Sequence, residues 1–206
     1  MNPNPMPRPD RAAATRRRLT AAAVQTFAER GYADTRVSDI VARAGVTQPT
    51  FYDHFAGKEA LFTALVEQFR ARVRQLLGDS RCREQEARQQ EAQLPLRESL
   101  RLTCSAVFHA FAEDPALTRL ALGQAPDAAQ VKQDLVTLLA GNVRAAQALG
   151  RVRADLPADL MAEALVGSVE RLTWRWLLTG EMNADDLARA VSDLHHDGLA
   201  PRTGAP

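Results

Sequence analysis

Apolar side chains in this 206-residue chain recur at intervals of three and four and nowhere alternate one by one. That spacing places side chains on one stripe of an α-helix, whereas a strand with one buried face needs a period of two. The chain is thereby confined to folds that bury helix against helix, an all-α architecture. Proline and glycine cut the pattern into about nine helices. Prolines at 3, 5, 7 and 9 exclude a helix at the start, so residues 1–9 are expected to be a disordered tail. Leu19, Ala22, Ala23, Thr26 and Phe27 form a stripe that stops at Gly31. Val37, Ile40 and Val41 form one of barely two turns, capped by Thr35 or a neighbour and closed at Gly45. Thr47 caps a third helix through Phe51, Tyr52 and Phe55, with Pro49 in its first turn, where N–H groups lack intrahelical partners.

After Gly57 a longer stripe, Leu61, Leu65, Phe69, Val73 and Leu76 or Leu77, reaches Gly78. Residues 79–93 carry Arg, Glu and Gln without a stripe, which fits either an exposed helix extension or a mobile connection. Pro95, Pro115, Pro126 and Pro157 then separate helices at about 97–114, 116–123, 127–149 and 158–179. A last helix covers 183–198, before a tail at 200–206.

Charge and composition narrow the function classes. Twenty-six basic residues against twenty-five acidic ones give a net charge of +1, so any nucleic-acid surface has to be local. Residues 1–60 hold nine basic and six acidic side chains and residues 61–206 hold seventeen and nineteen, which puts the positive excess beside the short helices. Cys82 and Cys104 form neither a CxxC nor a Cys/His ligand set, so neither a disulfide framework nor a zinc site is expected. His195 and His196 point about 100° apart on a helix and chelate poorly. No apolar run approaches the roughly 18 residues of a membrane span, and the polar, proline-rich start is unlike a signal peptide. A cytoplasmic location without a membrane partner is the expectation. The chain lacks GxSxG, GxxxxGK[ST] and HExxH, so neither enzymatic activity nor a cofactor is expected.

Two short helices joined across Ala44-Gly45-Val46-Thr47 have the shape of a helix-turn-helix, with Gly45 permitting the tight turn and Val46 plugging the angle between the helices. Phe27-Ala28-Glu29-Arg30-Gly31-Tyr32 precedes them, Gln48-Pro49-Thr50-Phe51-Tyr52-Asp53-His54-Phe55 follows, and Lys58-Glu59-Ala60-Leu61 closes the block. This block closely resembles the DNA-binding domain of the tetracycline-repressor (TetR) family of bacterial regulators, over about residues 12–72. The resemblance implies a three-helix DNA-binding domain at 10–57 and a helical effector-binding and dimerisation domain at 58–199. It also implies a homodimer on a two-fold symmetric double-stranded operator, released by a small-molecule effector. A helix-turn-helix protein without an effector is the alternative, but about 140 residues beyond the reading head exceed what dimerisation needs.

The physical chemistry of the block points the same way. Helix N-termini near Thr35, Thr47 and Lys58 offer free N–H groups and partial positive charge to phosphates. Gln48 and Thr50 sit in the first turn of the third helix, where Gln can bond adenine and the Thr methyl can touch thymine. By the family pattern Tyr52 and His54 bond phosphate, and Arg36 and Lys58 join them. Pro49 stands where many members have Gly, and Asp53 is expected to pair with a nearby Arg. Phe51 and Phe55 face inward. Arg16-Arg17-Arg18 fits a solvated helix face as well as a phosphate grip. In the C-terminal half the helix at about 97–114 is apolar nearly all round, and the candidate effector contacts are its His109, Phe108 and Phe111 together with Trp174, His109 and Trp174 being the polar-tipped ones. The candidate dimer contacts are Gly167, Leu187, Ala190, Val191 and Leu194.

Overall fold

The computed structural model describes residues 8–89, 95–124 and 128–199. The expected tails, apart from residues 8 and 9, and the side chain of Cys82 lie outside the described residues. Within these bounds the regular elements are all helices: α1 (Arg8–Arg30), α2 (Val37–Ala44), α3 (Gln48–Tyr52), α4 (Lys58–Gln89), α5 (Leu96–Glu113), α6 (Pro115–Arg119), α7 (Ala128–Ala148), α8 (Ala158–Leu172) and α9 (Ala184–Leu199). Two π-helical turns complete it, Leu120–Gln124 after α6 and Thr173–Leu177 after α8.

Helix α4 is the spine. Gly78, expected as its end, lies inside it, and the Arg- and Glu-rich stretch continues the helix to Gln89. Its 32 residues span about 48 Å. Leu61, Phe62 and Leu65 are buried under the N-terminal helices, while Phe69, Val73 and Leu77 are buried in the C-terminal half. A single buried cluster therefore runs from Leu19 to Val191 without a break at residue 57. The ring of Phe69 stacks on Phe111 of α5, centroids 5.4 Å apart.

In the C-terminal half, α9 packs along α5 and α7 along α8. Leu187 and Val191, expected at a dimer interface, are instead buried in the chain's own core. The reason is phase: α9 has one apolar face, Ala184, Leu187, Ala188 and Val191, and α5 already covers it. What remains outward is Leu194, 75% exposed, and the half-buried Ala190. On α8, Gly167 is exposed and Leu160 is 54% exposed. The two helices are joined by Ser168 and His195, Oγ to Nε2 3.3 Å.

The π turns meet at Gly123 and Trp174. Trp174, expected at an effector pocket, lies over Gly123 so closely that a Cβ there would come within 2.8 Å of its ring. The guanidinium of Arg119 donates to the carbonyl of Leu178 at 2.6 Å and ties α6 to the end of the second π turn. Gly123→Ala is therefore expected to destabilise the protein by about 1–3 kcal/mol through overpacking. Denaturant unfolding monitored by Trp fluorescence checks this, and an unchanged midpoint would mean that the ring moves aside without cost.

Candidate nucleic-acid interface

The reading head is built by three helices locked at right register. Backbone N–H groups of Gly45 and Val46 donate to the carbonyls of Ala42 and Val41 at 3.3 and 3.1 Å, closing α2 in a Schellman turn. Gly45 supplies the left-handed residue this turn requires, at φ 61° and ψ 42°. Val46 packs against the core as expected of the plug. At the start of α2 the N-cap is Arg36, not Thr35: the Asp39 carboxylate accepts from the Arg36 backbone N–H at 2.9 Å. Thr47 caps α3, its hydroxyl accepting from the N–H of Thr50 and lying 2.9 Å from the Thr50 hydroxyl. Phe51 and Phe55 are buried as expected, with ring centroids 5.8 Å apart, and fix α3 to its scaffold.

With α3 so anchored, its first turn and its outer side stay open. Gln48 and Pro49 are exposed in the first turn, Tyr52 is 55% exposed, and Thr50 and His54 are half-buried. Arg36 is exposed at the entry of α2. Asp53, expected to pair with an arginine, is exposed and makes no ion pair with a described residue. Gln48, Pro49 and Tyr52 are thus the exposed expected side chains of α3, and Arg36 is exposed at the start of α2.

Two residues expected on that surface turn inward. Thr35 is 1% exposed, and its hydroxyl donates to the carbonyl of Gly31 at 2.7 Å, so it satisfies the end of α1 and cannot reach a phosphate. Lys58 directs its ammonium to three backbone carbonyls, Tyr32 at 2.9, Ala33 at 3.3 and Thr35 at 2.9 Å, and lies 4.5 Å from the centre of the Tyr32 ring. It clamps α4 to the connection between α1 and α2. Burial, helped by Glu59, raises the Tyr32 phenol above its ordinary range, so it stays protonated and donates to Glu59 at 3.2 Å.

The Arg16-Arg17-Arg18 run has a role that periodicity left open. Arg18 donates to the carbonyls of Ala44 and Gly45 and so closes the end of α2. Arg16 donates to the carbonyl of His54 at 3.4 Å and lies 4.4 Å above the Phe55 ring, bracing the end of α3. The signal for these roles was the set of carbonyls that every helix end leaves unpaired. Arg43 is held back to α1 by Glu29, donating through Nη1 at 2.9 Å; that hydrogen bond keeps the Glu29 carboxyl below its ordinary range.

Known proteins share this arrangement. The sequence profile of bacterial regulatory proteins of the tetR family matches residues 19–65, the span from α1 into α4. The HTH-type transcriptional regulator YdgC of Bacillus subtilis (strain 168) is 38% identical over 188 residues, covering 91% of this chain and 94% of the relative. The HTH-type transcriptional repressor DhaR of Mycobacterium sp. (strain GP1) is 26% identical over 161 residues, 74% of this chain and 77% of the relative. Among solved structures, a gamma-butyrolactone receptor superposes with a TM-score of 0.63 at 26% identity, covering 91% of this chain and 98% of the receptor. The locked helix-turn-helix, the family profile over it and a relative aligned along nearly the whole chain together place this protein in the TetR family of bacterial helix-turn-helix transcriptional regulators.

Proposed function

We propose that this chain is a homodimeric repressor that leaves a palindromic operator when an apolar or amphipathic small molecule enters its C-terminal half. The observation that carries this reading is a cleft between α4, α5, α7 and α8, with about 610 Å³ of empty space counting its open mouth. The surface facing it is apolar throughout, and Thr103, Lys132 and Glu170 contribute carbon to it. Phe111 lines it, as the effector reading requires. Phe108 is fully buried and does not. His109, expected to orient a ligand, points out of the helix core: it is exposed, and its Nε2 lies 3.0 Å from Asp185 of α9. Together with the Ser105 hydroxyl, His109 keeps the Asp185 carboxyl below its ordinary range.

The cleft is mechanically close to the reading head. Val73 and Leu77 of α4 line it, and Lys58 at the other end of α4 clamps the α1–α2 connection. Leu122 of the first π turn also lines it, and that turn and α6 pack on α1. A ligand that parts these walls tilts α4 and α1 together. Two recognition helices must lie about 34–36 Å apart on the operator, so a spread of a few ångströms spoils simultaneous docking. The similar gamma-butyrolactone receptor is a small-molecule receptor on the same fold, which fits this reading.

Two measurements test it. Gln48→Ala or Thr50→Ala is expected to cost about 1–3 kcal/mol of operator affinity and relax specificity, whereas Tyr52→Phe weakens all sequences alike. Footprints at fixed salt that ignore all three changes would move the reading surface elsewhere. An effector identified by operator release is expected to lower DNA affinity about 5- to 150-fold, and operator must weaken effector binding by the same factor. Calorimetry of the effector with and without operator checks this; equal affinities would remove the allosteric claim and leave DNA binding standing.

A further inference from the structure

The cleft does not end at its first chamber. A second, with about 660 Å³ of empty space counting its open mouth, lies beside it, and both are lined by Thr103, Cys104, Leu139 and Leu165. On α5 the two linings form one stripe, Leu96, Leu100, Cys104, Val107 and Phe111. On α7 they form another, Lys132, Leu135, Leu139, Val143 and Ala146. Both stripes keep the three- and four-residue spacing of one helix face, and at 1.5 Å per residue they run for about 22 and 21 Å. A trough of that length matches a chain-shaped molecule better than a compact ring system. Burial pushes the Cys104 thiol at the junction up to about 12, so it stays a neutral, apolar part of the wall.

The two ends differ in chemistry. Only Lys132 and Glu170 carry charge in the combined lining; both stand at the first chamber, where they present carbon while their charged ends pair beside it, Nζ to Oε1 2.6 Å. The far chamber offers apolar groups with Ser99 and Asn142. An anionic head can replace Glu170 as partner of Lys132 if the shorter acidic side chain turns toward water. A cationic head would have to displace Lys132, whose methylene stem is itself part of the wall.

We propose that the two chambers form one site for a single-chain aliphatic carboxylate, its chain lying along α5 and α7 and its head on Lys132 in place of Glu170. The proposal rests on the reading of this cleft as the effector site and narrows the class of molecule. The probes are hexadecanoate, octanoate and hexadecanol, titrated below their aggregation limits into the full-length protein. Hexadecanoate is expected to bind once per chain and at least tenfold more tightly than octanoate. Leu139→Trp, which fills the shared wall, should weaken hexadecanoate at least tenfold and leave octanoate within about threefold; Leu139→Phe is the milder plug if the Trp variant does not fold. Lys132→Gln should weaken both carboxylates at least tenfold and leave hexadecanol unchanged. Equal affinities for the two chain lengths, or a hexadecanoate affinity indifferent to both plugs, would overturn the single trough. Carboxylate binding indifferent to Lys132→Gln would overturn the head-group assignment. If hexadecanoate binds as expected while operator affinity stays constant, the site stands and the effector reading of the cleft falls. If a compact molecule releases operator and hexadecanoate does not bind, the carboxylate site alone falls.

Discussion

Replacing Leu160 and Leu194 together by Glu is expected to yield a helical monomer whose operator affinity is lower by about 10²- to 10⁴-fold. Both side chains are more than half exposed in the single chain, at 54% and 75%, so charging them removes little from its core. Their neighbours on the outward faces, Gly167 on α8 and Ala190 on α9, are small and allow close helix approach. A two-fold pairing of these faces would bury both leucines, and a Glu there would be desolvated without a partner. The loss in DNA affinity follows from effective concentration: tethering makes binding of the second head intramolecular, and that is the whole of the factor. Sedimentation velocity and fluorescence anisotropy with operator DNA check the two halves of the statement separately. A stable dimer with unchanged operator affinity would place the interface elsewhere. Leu187 is unsuitable for this test, because at 1% exposure it reports folding instead of assembly.

The second large effect concerns Lys58. Lys58→Met keeps most of the side-chain volume and removes the ammonium that three backbone carbonyls accept from. Hydrogen bonds to a charged group contribute about 1.5–3 kcal/mol each and are not additive within one site, so a loss of about 3 kcal/mol in unfolding free energy is expected. The effect should appear in unfolding of the free protein, before any DNA is present. Operator binding should then weaken for all sequences in proportion to the disordered fraction of the head. If stability is unchanged and only DNA affinity falls with a shallower salt slope, Lys58 grips phosphate and the clamp is incidental.

The helical composition of this protein was legible in its sequence because amphipathic period, glycine stops and proline starts are local signals. The short α2, Gly45, the Thr47 cap and the inward Phe51 and Phe55 follow from backbone rules that hold whatever the rest of the chain does. The exposure of Pro49 and Tyr52 follows from the same periodicity, since both lie off the stripe of those rings, whereas Gln48 shares that stripe and is exposed because it stands at the open first turn of α3. The destinations of long polar side chains are not local. Lys58, Arg16 and Arg18 look like phosphate ligands in one dimension, yet each ends on carbonyls that another helix or loop leaves unpaired, at sequence separations of 23 to 38 residues. Thr35 was lost from the interface for the same reason, its hydroxyl being required at the end of α1.

The C-terminal half shows the limit more strongly. Periodicity located an apolar face on α9 but not what covers it, because α5 and a partner chain are equally apolar candidates; only packing assigned Leu187 and Val191 to α5 and left Leu194 outside. His109 and Trp174 were singled out for chemistry, yet rotation about the helix axis decided their place, and it turned His109 to Asp185 and Trp174 onto Gly123. A cleft is absence of side chains where several helices meet, so no single stretch of sequence records it. Sequence alone determined that this chain folds as helices and presents a reading head; tertiary packing decided which charges turn inward, which faces stay open and where the cleft lies.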